Sequence, residues 1–536
     1  MSHKIIQNSL DDSKGNIWLF WNCSITPPKV IATSKQCITV EVGGVLVTGI
    51  HVDSYTVNRR ELWQDLCDIS LLNKPWLILG DFNSVLSVDD KKGGRSLLPS
   101  AMRDFNNCID FCELIQAPKS GLEFSWCNGR VGTKRILYNL HRAFFNSKWL
   151  KTFNGWHYKV EARGIFDHGP IIGSDTVIPR ALHTPFRFHK MWLSPPSFMQ
   201  VIIDSWSEEI SGNPIYIFMN KLKRLKKILK AWNWEVFGDV KANLAKVEEK
   251  VLEEILKSNN DPTNINLLNN LVTARGEYDM AAHNYHTFLR DKARINWIKE
   301  GDINSKFFHT SIKLRQSQNS ITELEDSSGN IITDQKGIVD NLIDHFNKKF
   351  EYQTVQIRES IFYVVPQVIT DEDNSLLEGL PDENEIKNAI FDLKQDSAPG
   401  PDGFTGTFYR AAWDTIKKDM VEVIHYCWKN NIIPSGMNSN FLVLIPKIKG
   451  AKCARNFRPI GLSNFCFKVI IKIITMRLTT MLHKVISLQQ SAFVKNRNIH
   501  DQILLASELV NEMTIKRRGG NLALKLDISQ AYDTTS

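Results

Sequence analysis

Apolar positions change rhythm twice along this chain. Up to about residue 175 they come in short runs rich in β-branched residues: NIWLFWN (16–22), CITVEV (37–42), GVLVTGI (44–50) and PWLILG (75–80). Each run is bounded by turn residues or charges, as strands are. RRELWQDLCDISLLN (59–73) lies between them with helical spacing, so residues 1–175 are predicted to form an α/β region. From about 183 to 370 the period lengthens. Leu222, Leu225, Ile228, Leu229 and Trp232 share one face and Val247, Val251 and Ile255 follow; a further stretch from Pro262 towards Trp297 carries Leu268, Leu271, Val272, Tyr278 and Ala282. This predicts two long helices joined by a turn around SNNDPTN (258–264).

Beyond about residue 371 the elements mix again. Asp382 is placed to open a helix over ENEIKNAIFDLKQ (383–395), with Glu383 and Glu385 at its positive end. A Gly/Pro-rich turn follows, then a helix from Tyr409 to Asn430. FLVLIPK (441–447) is predicted as a strand, FCFKVIIKIITMRLTTMLHKVI (465–486) as a helix, and LALKLDISQAYD (522–533) as a strand ending near Asp527. The expected organisation is three consecutive regions, 1–175, 176–370 and 371–536, of α/β and α+β class with a helical linker between.

Composition narrows this picture modestly. The 536 residues are 43% hydrophobic and 23% charged, as in ordinary globular proteins, and the net charge of +8 permits a polyanionic partner without requiring one. No uninterrupted apolar run approaches the ~18 residues of a membrane span, so no membrane association is expected and an intracellular location, nucleus or cytoplasm, is. Among nine cysteines, Cys108 and Cys112 are close in sequence, but no matching Cys/His pair follows, which argues against zinc.

Charge is concentrated in two places. Residues 444–477 hold eight Lys/Arg and no Asp or Glu, a one-signed density that suits phosphate contact. Residues 286–316 hold seven Lys/Arg against three acids, with Trp297, Phe307 and Phe308 among them. There, nucleic-acid stacking and plain packing stand level as readings.

The order of motifs is more specific. SAPGPDGFTGTFYR, FLVLIPK, NFRPIGLSNFCFKVIIKIITMRL, QQSAFVKNRNIHDQILLASELV and LKLDISQAYD run through residues 397–533. Together they resemble the fingers and early palm of reverse transcriptases (RNA-directed DNA polymerases) of non-LTR, LINE-type retrotransposons, with the plant elements nearest in pattern. The resemblance implies that Asp527 is a catalytic, metal-binding aspartate, with Asp533 near the nucleotide pocket. It implies that Lys447 and Arg458 grip the incoming triphosphate. It also makes 399–403 the tight turn ahead of the fingers and puts Arg497 and Asp501 in a template-contacting stretch. Mg²⁺ would be the cofactor, since hard cations take oxygen ligands. RNA template and DNA would be the partners, with no small-molecule cofactor. The second carboxylate pair that the family needs does not follow Asp527, and SVDD (87–90) lies in another region and is not that pair. A fragment inactive as a polymerase is therefore expected; a host-retained, non-catalytic nucleic-acid-binding protein is the alternative.

Upstream, PWLILGDFNSVL, FSWCNGR and IFDHGPII resemble the C-terminal part of the endonuclease/exonuclease/phosphatase αβ-sandwich over roughly 15–175. The resemblance implies that Asp81 orients the attacking water, Asn83 donates to a phosphate oxygen, His168 stabilises the pentacovalent centre and Asp167 helps place the metal. Three departures weaken it. His141 stands where the family holds its histidine with an aspartate, His51 where Tyr is common, and Phe166 where Ser is usual. His141 cannot supply the negative charge an imidazolium needs, so no nuclease activity is expected. FRFHKMW (186–192), WNWEVFGDV (232–240) and residues 294–316 resemble the stretch joining the two domains in plant LINE elements.

Overall fold

The computed structural model describes residues 5–9, 14–175, 184–293, 305–352, 363, 366–448, 450–492, 494, 496–515 and 518–524. Asp527, Asp533 and Trp297 lie outside them, as does most of the predicted strand over 522–533. The architecture is mixed α/β, in two compact units that interleave along the chain. The first comprises Met1–Leu182, Leu289–Asn341 and Leu444–Arg458; the second comprises His183–Phe288, Leu342–Val443 and Pro459–Ser536.

The first unit is built on a six-stranded sheet in the order Lys29–Thr33, Cys37–Val42, Val45–His51, Trp76–Asp81, His141–Phe145, Ile115–Gln116. Val45–His51 and Trp76–Asp81 are parallel and are joined through the helix Thr56–Ser70, a β-α-β crossover. His141–Phe145 returns antiparallel beside Trp76–Asp81. Strand side chains alternate between faces, and here both faces are covered. Ile78 and Phe144 join the core under the helices Thr56–Ser70 and Pro99–Phe111, with Leu62, Leu66, Phe82 and Phe105. Their neighbours Leu77 and Phe145 join a second core with Trp149, Trp156 and Tyr158. Burial on both sides is why PWLILG reads as continuous apolar sequence rather than as an alternation. A smaller sheet, in the order Ile171–Asp175, Trp156–Val160, Lys119–Gly121, belongs to the same unit.

The second unit is helical. Ser197–Ser207, Pro214–Val236, Glu383–Asp392, Trp413–Asn430 and Phe465–Val485 enclose one core that includes Leu222, Leu225, Leu229, Ile386, Ile416, Val423 and Ile473. FRFHKMW supplies Phe186, Phe188, Met191 and Trp192 to it. Those aromatics are therefore packing residues. In the first unit Phe308 is buried too.

Three elements depart from the periodicity. The strand predicted over 16–22 shrinks to Trp18–Phe20, which pairs with Ile5–Gln7 and stays largely exposed. The first of the two long helices is two: Pro214–Val236 stops, and Val240–Asn260 restarts where the Asp239 carboxylate accepts from the Lys241 and Ala242 amides. The helix predicted from Tyr409 begins at Gly406, pauses at Ala412 and resumes over Trp413–Asn430. Local capping by Asp239, invisible to apolar periodicity, sets the first of these helix breaks.

Candidate functional site

Strand register creates the site. His51 pairs with Asp81 across the parallel ladder, and Asp81 pairs with His141 across the antiparallel one. Three polar residues thus stand in a row at one end of the sheet. Gly80 permits the close pairing: φ is +143°, and a Cβ there would sit 2.1 Å from the Ile50 carbonyl oxygen. Opposite, Trp126 bridges His168, and the Gly169 amide donates to Ser125 O at 2.7 Å. The buried Ser125 hydroxyl accepts from the Leu140 and His141 amides. This lacing brings His168 to His141.

The resulting contacts are short. His141 Nε2 and His168 Nδ1 are 2.9 Å apart. Asp81 Oδ2 is 3.7 Å from the first and 3.6 Å from the second. The Gly169 carbonyl can only accept, so His141 Nδ1, 2.6 Å away, carries the proton. In neutral His141, Nε2 then accepts from His168. Burial pushes the Asp81 carboxyl up, but the His141 and His168 rings beside it and the Asn83 amide that donates to it hold it below its ordinary value. The sequence predicts that His141 leaves His168 without a negative partner; in the structure Asp81 itself stands beside both rings.

The other expected residues are placed less pointedly. Asn83 has φ +43°, donates its amide N–H to Asp81 Oδ1 at 2.9 Å and its side-chain Nδ2 to Val52 O at 2.7 Å. It braces Asp81. Asp167 is mostly exposed; it accepts from Trp126 Nε1 at 3.2 Å and its Oδ2 lies 3.8 Å from His168 Nε2. Asp81, Asn83 and His168 line a cavity of about 580 Å³ whose wall also carries His51, Arg59, Lys91 and Arg95. A cationic wall suits an anionic ligand. The converging donors, two ring nitrogens and one carboxylate oxygen, are not the oxygen set that Mg²⁺ demands.

Another convergence is not visible in the sequence. Cys67, Cys108 and Cys112 bring their sulfurs together, with Cys112 and Cys67 4.0 Å apart. Cys67 comes from the helix before the Cys108–Cys112 pair, so a search for a following motif misses it. Burial pushes the Cys67 thiol up to about 11, which favours the inert, protonated form.

Farther along, Asn440–Pro446 and Phe457–Ser463 form a two-stranded ribbon. Lys447 and Arg458 are exposed on it, and Lys447 Nζ donates to Arg455 O at 3.1 Å. In the turn at 399–403, Gly403 has φ +81°, and a Cβ would meet Phe186 O at 2.2 Å. Arg497 donates to the Ser487, Gln490 and Ile486 carbonyls, a bracing role within its own loop. Asp501 sits in the first turn of the helix Ile499–Glu512.

Comparison with known proteins gives two kinds of likeness. Residues 445–536 match the family model of reverse transcriptase (RNA-dependent DNA polymerase). Over 245 residues, 45% of this chain, the sequence is 27% identical to the "Transposon TX1 uncharacterized 149 kDa protein" of Xenopus laevis, and the alignment spans 18% of that protein. Together these support a retrotransposon polyprotein. Among solved structures, the endonuclease domain of TRAS1, a telomere-specific non-LTR retrotransposon, overlaps 32% of this chain and 80% of its own at 11% identity and TM-score 0.26. A 3'-5' exonuclease from Neisseria meningitidis overlaps 26% of this chain and 64% of its own at 14% identity and TM-score 0.22. Among the described residues, no helix is long and apolar enough to cross a membrane.

Proposed function

We propose that the chain is a segment of a LINE-type, plant-like non-LTR retrotransposon polyprotein, with an endonuclease/exonuclease/phosphatase-derived region over 1–175, a helical linker over 176–370 and reverse transcriptase fingers and palm over 371–536. The carrying observation is the coincidence of the reverse transcriptase match over 445–536 with the motif order that ends in LKLDISQAYD. In this reading Lys447 and Arg458 neutralise triphosphate or backbone phosphate, Asp527 is the Mg²⁺-binding carboxylate and Asp533 lies near the nucleotide. RNA and DNA are the partners. In the N-terminal region, Asp81, Asn83, Asp167 and His168 descend from a phosphodiesterase site. With His141 beside His168 where the family has an aspartate, that region is expected not to cleave DNA in Mg²⁺.

The test is binding of an RNA–DNA template-primer to the full chain, followed by fluorescence anisotropy across a salt series. Removing one cation that touches a phosphate should reduce the slope of log affinity against log salt by about one. Lys447→Ala and Arg458→Ala are each expected to do so. Affinity no greater than that of an unrelated protein of similar charge, or slopes unchanged in both variants, would overturn the assignment.

A further inference from the structure

We propose that Asp81, His141 and His168 form a site for a borderline transition-metal ion of the zinc class, in place of the hard-cation chemistry that the surrounding motifs suggest. The sides of the triangle are 2.9, 3.6 and 3.7 Å. Ligand atoms of a tetrahedral zinc centre stand roughly 3.4 Å apart. A point about 0.6 Å off the plane of the three atoms, on the side of the cavity, lies about 2.1 Å from each, the length of a bond from zinc to nitrogen or carboxylate oxygen.

The neighbouring hydrogen bonds free the right lone pairs. Asp81 Oδ1 is held by the Asn83 amide, which leaves Oδ2 facing the rings. His141 Nδ1–H donates to Gly169 O, so Nε2 presents its lone pair. An outer carbonyl or carboxylate that fixes the tautomer of a ligating histidine is the usual support of such sites. For His168 the ligand atom is Nδ1. Its proton, shared with His141 without metal, moves to Nε2, and the Asp167 carboxylate 3.8 Å away favours that tautomer. Proton count is conserved, because the ring stays neutral. Asp81 and His141 are well buried, with side chains 8% and 12% exposed, while His168 is 40% exposed. Asp81 and His168 line the cavity, so a fourth position faces it and takes water or an anionic oxygen.

This inference does not depend on the retroelement reading. Its test is titration of the metal-stripped full chain with Co²⁺ as the spectroscopic probe, then competition by Zn²⁺ and by Mg²⁺. The expected result is visible absorption of tetrahedral strength without a thiolate charge-transfer band, abolished by Zn²⁺ and untouched by Mg²⁺. Asp81→Ala, His141→Ala and His168→Ala should each weaken binding by about 100-fold or more. His157→Ala, outside the triangle, should not. His141→Gln, near in size, serves if the alanine variants fold poorly by circular dichroism, and it too should lose the band. A thiolate band alone would move the ion to Cys67, Cys108 and Cys112 and overturn the proposal. So would a spectrum unchanged in folded His141→Gln, or equal competition by Mg²⁺.

Discussion

The run of eight cations over 444–477 is, in the folded chain, two different things. On the ribbon formed by Asn440–Pro446 and Phe457–Ser463, Lys447 and Arg458 are exposed, and Lys447 donates to a backbone carbonyl of its own loop. On the helix Phe465–Val485, the cations are consumed internally. Lys468 donates to Ala398 O at 2.9 Å, Lys472 pairs with Asp392, and Arg477 grips Glu385 with two bonds of 2.7 Å. The acids that neutralise this helix lie about 80 to 92 residues upstream. One-signed charge along a sequence thus marks a free cationic surface only where no distant acid folds back onto it. On the proposed function, phosphate binding would belong to the ribbon, and fold stability to the helix.

Arg477→Met tests this division most severely. Arg477 is 8% exposed, bonds Glu385 and the Leu377 and Gly379 carbonyls, and stacks over Trp428 at 5.0 Å. Its removal leaves a carboxylate and two carbonyls without their donor. The expected cost is about 3 kcal/mol, the low end for a broken buried pair because Glu385 is a quarter exposed. Urea unfolding should show it, while the salt slope of nucleic-acid binding stays that of the wild type. A changed slope with unchanged stability would put Arg477 with the ribbon.

Asp402 sharpens the helix side of the comparison through pH. Burial pushes its carboxyl up to about 6, against the Phe404 and Phe465 amides and the charges of Lys468 and Lys226, which pull it down. The fold therefore prefers the protonated acid. The associated stability is complete below about 3.8 and is lost as pH rises through about 6. Asp402→Asn keeps an oxygen for the two amides and removes the charge. Its stability relative to wild type should rise by about 2 kcal/mol between pH 4 and pH 7.5, allowing for partial solvent contact. Parallel profiles of the two proteins would mean that Lys468 and Lys226 already neutralise the carboxylate.

What the sequence made legible follows from the range of each interaction. CITVEV, GVLVTGI and PWLILG became strands Cys37–Val42, Val45–His51 and Trp76–Asp81, and RRELWQDLCDIS became most of the helix Thr56–Ser70, because burial pattern is local. Asp382 caps its helix as expected, accepting from the Glu385 amide at 2.7 Å. The bend between Val236 and Val240 was hidden, since Asp239 interrupts a face whose apolar spacing hardly changes. At the candidate site the members were legible but their relations were not. Asp81 and His168 sit in recognisable motifs. That His141 links them depends on the pairing His141–Asp81, a property of register between strands about 60 residues apart.

The smallest effect is expected at Lys472, and it is a useful one because Lys472 belongs to the same one-signed run as Lys447. Its partner Asp392 is 62% exposed, and Lys472 itself is 26% exposed. Exposed pairs of this kind contribute about 0–1 kcal/mol. Lys472→Ala should therefore move the unfolding midpoint barely at all. If the helix is purely structural, it should also leave the salt slope of template-primer binding unchanged, although it removes a formal positive charge as Lys447→Ala does. A slope reduced by about one in both variants would mean that the Asp392 pair opens to admit phosphate, and the boundary between ribbon and helix would then fall later than residue 472.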